Sequence, residues 1–173
     1  MSAALDDIFL QQINQHLGIA HKVCGLYFTD EDEKQDVVQE MMYQLWRSYA
    51  SFDGRSKFST WMYSVCLNTA LTYLRNNKKH KSLSLSKHHQ QIPEEPVGEQ
   101  DEKTQLLWEA IAGLSQLNKA IVLLYLEDLR YEEIAQITGL SKSNVSVRLV
   151  RIKKELEAFM KKQTNPYSHV SPR

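Results

Sequence analysis

The chain has 173 residues, with 21 basic and 21 acidic side chains, so its formal net charge is zero. Its longest clear apolar run, 120–126, is far shorter than the roughly 18 residues that a membrane span needs. Residues 1–12 carry Asp6 and Asp7, where a secretory signal would carry basic residues before an apolar core. These features exclude a bilayer-spanning protein and argue against export, so we expect a cytoplasmic protein.

The charge is sorted into four alternating blocks along the chain. Acidic residues dominate up to Asp53, basic residues dominate over 54–92, acidic residues return up to Glu133, and the end is basic. The block 54–92 holds seven Lys or Arg and no Asp or Glu. A basic stretch without acids is typical of a surface that lies against a polyanion. With a second basic block at 142–162, the pattern predicts two contacts with one polyanion, and we favour duplex DNA.

Apolar residues in the first half recur with helical spacing. The earliest of them predict one or two helices, broken or bent near Gly18: Ile8, Leu10, Ile13, Leu17 and Val23. A wide stripe then predicts a helix from about 32 to 49: Val37, Val38, Met41, Met42, Leu45, Trp46 and Tyr49. A second stripe follows a turn at 53–54 and predicts a partner helix: Trp61, Met62, Val65, Cys66, Thr69, Ala70, Tyr73 and Leu74. Four such helices would form a small bundle over 1–77.

Helical periodicity disappears over 78–103, where Ser, Gln, His, Pro and Gly accumulate. This composition predicts a flexible linker, whose acidic end at 94–102 would act as a solvated tether. The helical pattern resumes at 104 and continues to about 162, and we expect a disordered tail over 163–173. The predicted fold is therefore all-α, with two small helical domains joined by a linker.

The second domain contains a helix-turn-helix pattern. A short apolar segment ends at Gly139, which can take the left-handed conformation at a helix C-terminus, and Ser141 is placed to cap the next helix. The inward positions of that helix keep steps of four, three and four: Val145, Leu149, Ile152 and Leu156. Its outward face mixes polar groups that read bases with cations that bind phosphates, and should enter a major groove: Lys142, Ser143, Asn144, Ser146, Val147, Arg148, Arg151 and Lys154.

The order of these features resembles the extracytoplasmic-function sigma factors of bacterial RNA polymerase, over nearly all of the chain. Segment 36–47, DVVQEMMYQLWR, looks like the polymerase-binding helix of that family. Segments 52–63 and 68–75 look like its promoter-melting and minus-ten segments. In the second half, 114–126, 131–135 and 145–156 are similar to its domain that recognises the minus-thirty-five element. The resemblance implies a transcription initiation factor that is not an enzyme and needs no metal or cofactor.

The resemblance also implies roles for particular residues. The polar edge of the first segment would bind core RNA polymerase: Asp36, Gln39, Glu40 and Tyr43. The loop at 54–60 would capture a base flipped from the non-template strand, and the helix after it would contact the minus-ten element: Arg55, Ser56, Lys57, Ser59, Ser64, Asn68, Thr72, Arg75 and Lys78. The outward face of 142–154 would then meet the minus-thirty-five element. Promoter DNA and core RNA polymerase are the implied partners, together with an anti-sigma factor. The resemblance also implies an alternative role for the acidic linker end 94–102, which would mimic nucleic acid.

The chain departs from the family pattern at three places. Thr72 stands where the family often has Asp, and 128–130 replaces a common Gly and Ser cap with Asp, Leu and Arg. We expect the turn at Asp128 to survive, because Asp can adopt left-handed geometry. Segment 143–147 also differs, so the base preference should differ.

Other protein classes fit the sequence less well. An enzyme would need a Gly-rich phosphate loop or paired acids, and neither motif is visible. Cys24 and Cys66 lie within apolar helical patterns, which predicts buried thiols rather than a disulfide or a metal site, and His16 with His21 is a poor metal pair. The main alternative is a free-standing, dimeric helix-turn-helix regulator. A helical adaptor that binds only polymerase would not explain the acid-free stretch 54–92.

Overall fold

The computed structural model describes the backbone of residues 3–81 and 102–164, and the side chains of 7–77 and 103–163. Over these residues the regular elements are eight α-helices, which confirms the all-α prediction. The chain divides into two units, 1–91 and 92–173. Most of the predicted linker, 82–101, and most of the predicted tail, 165–173, lie outside the described residues and stay predictions.

The first unit is built from four helices. Their bounds are, in chain order: α1 Ala3–His16, α2 Gly18–Tyr27, α3 Glu31–Tyr49 and α4 Phe58–Lys81. The boundary between α1 and α2 confirms the predicted break near Gly18. Helix α3 begins where the Asp30 side chain accepts a hydrogen bond from the Glu33 amide at 2.9 Å, which satisfies one of the free N–H groups of its first turn.

The core of this unit lies between α2, α3 and α4. Val23, Met41, Leu45, Met62 and Cys66 are all completely buried there. Burial of this kind stabilises the fold by about 1.5–3 kcal/mol for each large apolar side chain.

One residue of the predicted stripe on α3 is exposed, whereas the other six are buried or half-buried. Trp46 is 47% exposed, so its assignment to the buried face was wrong. At about 100° per residue, Trp46 lies about 140° around the helix from the buried Met41, which turns its ring toward solvent. In this turn of the helix, the buried position is occupied by Leu45.

An aromatic cluster closes the end of the unit where α3 leads into α4. It consists of the rings of Tyr49, Phe52, Phe58 and Trp61, whose neighbouring centroids lie 5.1–6.4 Å apart. Such pairs are worth roughly 0.5–1.5 kcal/mol each beyond their buried area. The cluster packs the intervening loop, 50–57, against the start of α4, and Trp61 contributes to this packing with three ring contacts.

The second unit contains the helix-turn-helix. Its helices are α5 Glu102–Ala112, α6 Gln116–Leu126, α7 Tyr131–Thr138 and α8 Lys142–Thr164. The core is formed by fully buried side chains from α6, α7 and α8: Ile121, Leu124, Ile134, Val145 and Ile152. Leu149 is buried with them, while Leu140 and Leu156 are half-buried.

The two turns of this unit take the conformations that the sequence predicts. Gly139 ends α7 with φ 71° and ψ 14°, and Ser141 Oγ accepts the Asn144 amide at 3.2 Å at the start of α8. Asp128 adopts a φ of 57°, which confirms that the turn survives without glycine. The Leu129 amide then donates to the Leu124 carbonyl at 3.1 Å, so the chain reverses tightly after α6.

Alanine substitutions at Gly139 and Gly25 should change the free energy of unfolding in opposite directions. A Cβ added at either position meets nothing within 4 Å, so the effect of alanine comes from backbone conformation alone. Gly139→Ala should lower the free energy of unfolding of its unit by about 1 kcal/mol, because φ is positive there. Gly25→Ala, inside α2, should raise that of the first unit by a similar amount. Denaturation followed by circular dichroism checks both signs, and a destabilising Gly25→Ala would contradict the helical assignment.

Candidate functional site

The outer face of α3 carries all four residues predicted for polymerase binding. Asp36, Gln39, Glu40 and Tyr43 are exposed, on the side of the helix opposite Met41. Trp46 lies one turn after Tyr43, and the two aromatic side chains are 47% and 51% exposed. Two adjacent half-exposed aromatic side chains on a polar face are typical of a protein interface. The sequence analysis missed Trp46, although its place after the complete Val37, Met41 and Leu45 row was a usable signal.

In the loop between α3 and α4, the guanidinium of Arg55 is paired with the carboxylate of Asp53. Asp53 accepts the backbone N–H of Arg55 at 3.1 Å and its Nε at 2.7 Å, and Gly54 takes a φ of 72° between them. Arg55 and Lys57 are exposed, while Ser56 and Ser59 are half-buried beside the aromatic cluster. Four of the predicted minus-ten residues therefore lie together on this loop and at the start of α4.

The remaining predicted minus-ten residues form one row along α4. Ser64, Asn68, Thr72 and Arg75 follow one another at steps of four, four and three, so they share a face. Ser64 is half-buried and the other three are exposed. Lys78 belongs to the same helix, but its side chain lies outside the described residues. The end of the row is fixed to α3, because Asn77 Nδ2 donates to Glu33 Oε1 at 3.3 Å.

The outer face of α8 carries the eight residues predicted for DNA contact. Two of them, Ser146 and Arg148, are half-buried. The other six are exposed: Lys142, Ser143, Asn144, Val147, Arg151 and Lys154. Val150 is also exposed, at 53%, and lies one turn after Val147. Sequence analysis missed Val150, although it falls outside the inward spacing of this helix.

A shallow depression lies between this face and the first turn of α6. Its volume is about 430 Å³, and it is lined by Asn118, Asn144, Val147, Arg148, Arg151 and Glu155. Asn118 Oδ1 accepts a hydrogen bond from Arg148 Nη1 at 3.2 Å. Sequence analysis did not single out Asn118, because nothing in local spacing relates it to a residue thirty positions later.

Three lysines of the second unit are held by their surroundings. Lys142 Nζ lies 2.5 Å from Glu132 Oε1, and this hydrogen bond lowers the pKa of the Glu132 carboxyl. Lys153 Nζ donates to the Tyr125 hydroxyl at 2.9 Å and lies 4.3 Å from the centre of its ring, and the hydrogen bond raises the pKa of Lys153. Lys119 is only 8% exposed, and burial lowers its pKa. Of the three, only Lys142 belongs to the predicted DNA face.

Comparison with known proteins covers both units. A model of the sigma-70 region 2 family matches residues 12–80, and a model of the sigma-70 region 4 family matches 104–156. The ECF RNA polymerase sigma-E factor of Haemophilus influenzae is 30% identical over 153 residues, which are 79% of this chain and 80% of that protein. The RNA polymerase sigma factor SigV of Bacillus subtilis is 29% identical over 153 residues, 87% of this chain and 90% of SigV.

The chain belongs to the extracytoplasmic-function sigma factors. As a sigma factor, it directs RNA polymerase to promoters. A solved structure agrees in fold: the sigma factor RpoE of Bartonella quintana, in complex with the anti-sigma factor NepR, superposes with a TM-score of 0.77 at 19% identity, over 88% of this chain and 96% of that one. The region 2 match contains α2, α3 and most of α4, and the region 4 match contains α6 and α7 and most of α8.

The sigma factor's two cysteines are free and buried in the first unit. Cys24 Sγ lies 3.9 Å from Met41 Sδ. Burial raises the pKa of the Cys24 thiol to about 11, partly opposed by the charge of Lys34, and raises that of Cys66 to about 12. Over residues 3–81 and 102–164, no cluster of His, Cys, Asp and Glu could hold a metal ion. No helix in those ranges is both long enough and apolar enough to span a membrane.

The thiol pKa values give a direct test of this core. The thiolate is the reactive form, so at about pH 8 a disulfide reagent should label the folded protein at least about a hundredfold more slowly than the unfolded one. Because both pKa values lie well above this pH, the rate should rise about tenfold per pH unit between about pH 7 and pH 9. Labelling followed by absorbance in buffer and in denaturant checks this. Rapid labelling of either thiol in buffer would show that it is not buried.

Proposed function

We propose that this sigma factor binds core RNA polymerase through the outer face of α3 and contacts promoter DNA through two further surfaces. The minus-ten surface comprises the loop 50–57 and the outer row of α4, and the minus-thirty-five surface is the outer face of α8. The observation that carries this proposal is that the described polar and basic residues of all three sets face solvent or are half-buried, opposite a buried apolar row on the same helix.

The chemistry of the α3 face suits a protein partner. Tyr43 and Trp46 offer large rings that are half-exposed, and Trp, Tyr and Arg are the residues that most often dominate binding energy at interfaces. Asp36 and Glu40 add negative charge around them, which favours a basic partner surface and steers the encounter. Asp36, Gln39, Glu40 and Tyr43, together with Trp46, form the proposed polymerase surface.

The minus-ten surface suits unpaired DNA. Extruding a base from a duplex costs a few kcal/mol, which contacts in a protein pocket can offset without nucleotide hydrolysis. Arg55 and Lys57 supply positive charge to the strand, and Ser56 and Ser59 supply hydroxyl groups close to the aromatic cluster. The protein would thus stabilise the melted state rather than drive melting as a motor.

The minus-thirty-five surface suits a major groove, into which a single α-helix fits. Asn144 carries an amide that can bond adenine, Val147 and Val150 offer methyl groups for thymine, and Arg151 and Lys154 offer charge for phosphates. Lys142 would exchange its ion pair with Glu132 for a phosphate.

The alternative of a free-standing dimeric regulator is less well supported. Such a protein needs a dimerisation element beside its helix-turn-helix. Here the first unit instead matches sigma-70 region 2 over 12–80, which supports a sigma factor rather than a dimeric regulator. We also propose an anti-sigma partner, because the similar RpoE was solved with NepR, and a protein that covered the polymerase surface would keep the sigma factor inactive.

Two changes test the polymerase surface. Trp46→Ala should weaken binding to core polymerase at least about tenfold, because interface tryptophans commonly contribute 2 kcal/mol or more. The double charge reversal Asp36→Lys with Glu40→Lys should abolish co-purification with the core enzyme. The matched controls lie on α1: Leu10→Ala removes an equally exposed apolar group and Asp7→Lys reverses one charge. If the controls and the α3 variants bind alike, another surface binds polymerase.

The minus-thirty-five surface is tested through its salt dependence. Holoenzyme with Arg151→Ala should bind promoter DNA more weakly, and the slope of log affinity against log salt should become shallower by about 0.9, the value for one lost phosphate contact. Lys162→Ala removes an exposed cation from the far end of the same helix and should leave the slope unchanged. An unchanged slope for Arg151→Ala would show that this side chain does not touch phosphate.

A further inference from the structure

We infer that Asn118, on α6 and outside the helix-turn-helix, is a positioning residue that orients Arg148 toward DNA. This inference rests on the proposed role of the α8 face. It adds a third helix to the minus-thirty-five surface, which is otherwise formed by the helix-turn-helix alone.

The position of Asn118 is fixed by its own helix. Ser115 precedes α6, and its Oγ accepts the Asn118 amide at 3.3 Å, which fixes Asn118 in the first turn. Helix α6 packs against α8, and Ile121, Leu124 and Val145 are completely buried. The side chain of Asn118 is therefore carried by a rigid element, not by a loop.

The contact to Arg148 orients the guanidinium but leaves its charge in place. Asn118 Oδ1 accepts one N–H from Nη1 at 3.2 Å, and a guanidinium has five N–H donors, so the others stay available. The acceptor is a neutral amide. On the same face, Lys142 is paired instead with the carboxylate of Glu132, which offsets its charge. The two contacts therefore act on the DNA face in different ways.

Orientation in advance should strengthen binding. A free arginine loses rotamer freedom when it docks, and a side chain that is already ordered loses less. Arg148 is half-buried, in keeping with an ordered side chain. The depression beside it has two arginines, Arg148 and Arg151, against one carboxylate, Glu155, so it suits an acceptor group on DNA. That group is either a backbone phosphate or a guanine edge, both of which arginine binds in bidentate fashion.

A double-mutant cycle in holoenzyme tests the inference. Asn118→Ala should weaken promoter binding about two- to tenfold, the usual worth of one hydrogen bond. In the Arg148→Ala background, Asn118→Ala should have almost no further effect, because the group that it orients is gone. Asn118→Asp should keep a hydrogen bond to Arg148, but its negative charge should offset that of the guanidinium. Holoenzyme with this variant should therefore bind promoter DNA more weakly than the native holoenzyme, with a shallower salt dependence.

The same variants distinguish the two DNA groups. On a library with randomised minus-thirty-five elements, loss of a phosphate contact weakens binding uniformly and makes the salt slope shallower by about 0.9. Loss of a guanine contact relaxes the preference at one base pair. Either pattern for Asn118→Ala, shared with Arg148→Ala, supports the inference and identifies the group.

A stability-matched control keeps the inference testable. Ile121 lies in the same helix and is completely buried, so Ile121→Val should lower the stability of the second unit modestly without changing its surface. An equal loss of promoter binding in Ile121→Val would show that Asn118 acts only through stability. Additive losses from Asn118→Ala and Arg148→Ala would also overturn the inference. If Arg148→Ala itself has no effect, the proposed role of Arg148 fails instead.

Discussion

Burial of one apolar row on each helix is the constraint on which the surfaces of this sigma factor depend. On α8, the buried Val145, Leu149 and Ile152 fix the rotation of the helix, so the polar positions between them must face solvent. On α3, Val37, Met41 and Leu45 do the same for the acidic and aromatic face. A helix that is packed in this way cannot rotate about its axis, so the side chains of its outer face are already oriented before a partner binds.

Charge on these surfaces is balanced by weak and exchangeable pairs. Arg55 is paired with Asp53 and Lys142 with Glu132, and all four side chains are well exposed. Exposed ion pairs contribute little to stability because water screens them, so a DNA phosphate can replace the carboxylate at little energetic loss. Pairing of this kind reduces attraction to arbitrary polyanions, and it reconciles a net charge of zero with two surfaces that would meet DNA.

The described residues support a protein that acts by binding. The largest exposed aromatic groups of the first unit, Tyr43 and Trp46, lie on the face proposed for polymerase. The cysteine thiols are buried, and burial raises their pKa values, so little reactive thiolate forms, as expected of core residues. In the proposed function, free energy for opening DNA would come from holding unpaired bases beside the loop 50–57, and α8 would bind the upstream element.

The sequence predicted most of the helices, the caps of the helix-turn-helix and most of the residues on each outer face, because helical periodicity and capping depend on side chains within a few positions of one another. Gly139, Ser141 and the left-handed Asp128 are of this local kind. The contact by which Asn118 holds Arg148 across thirty residues is visible only in the tertiary structure. Contacts of this second kind depend on how far one helix is turned and shifted against another, and that is set by the packing of whole side chains in the core, which no local spacing records.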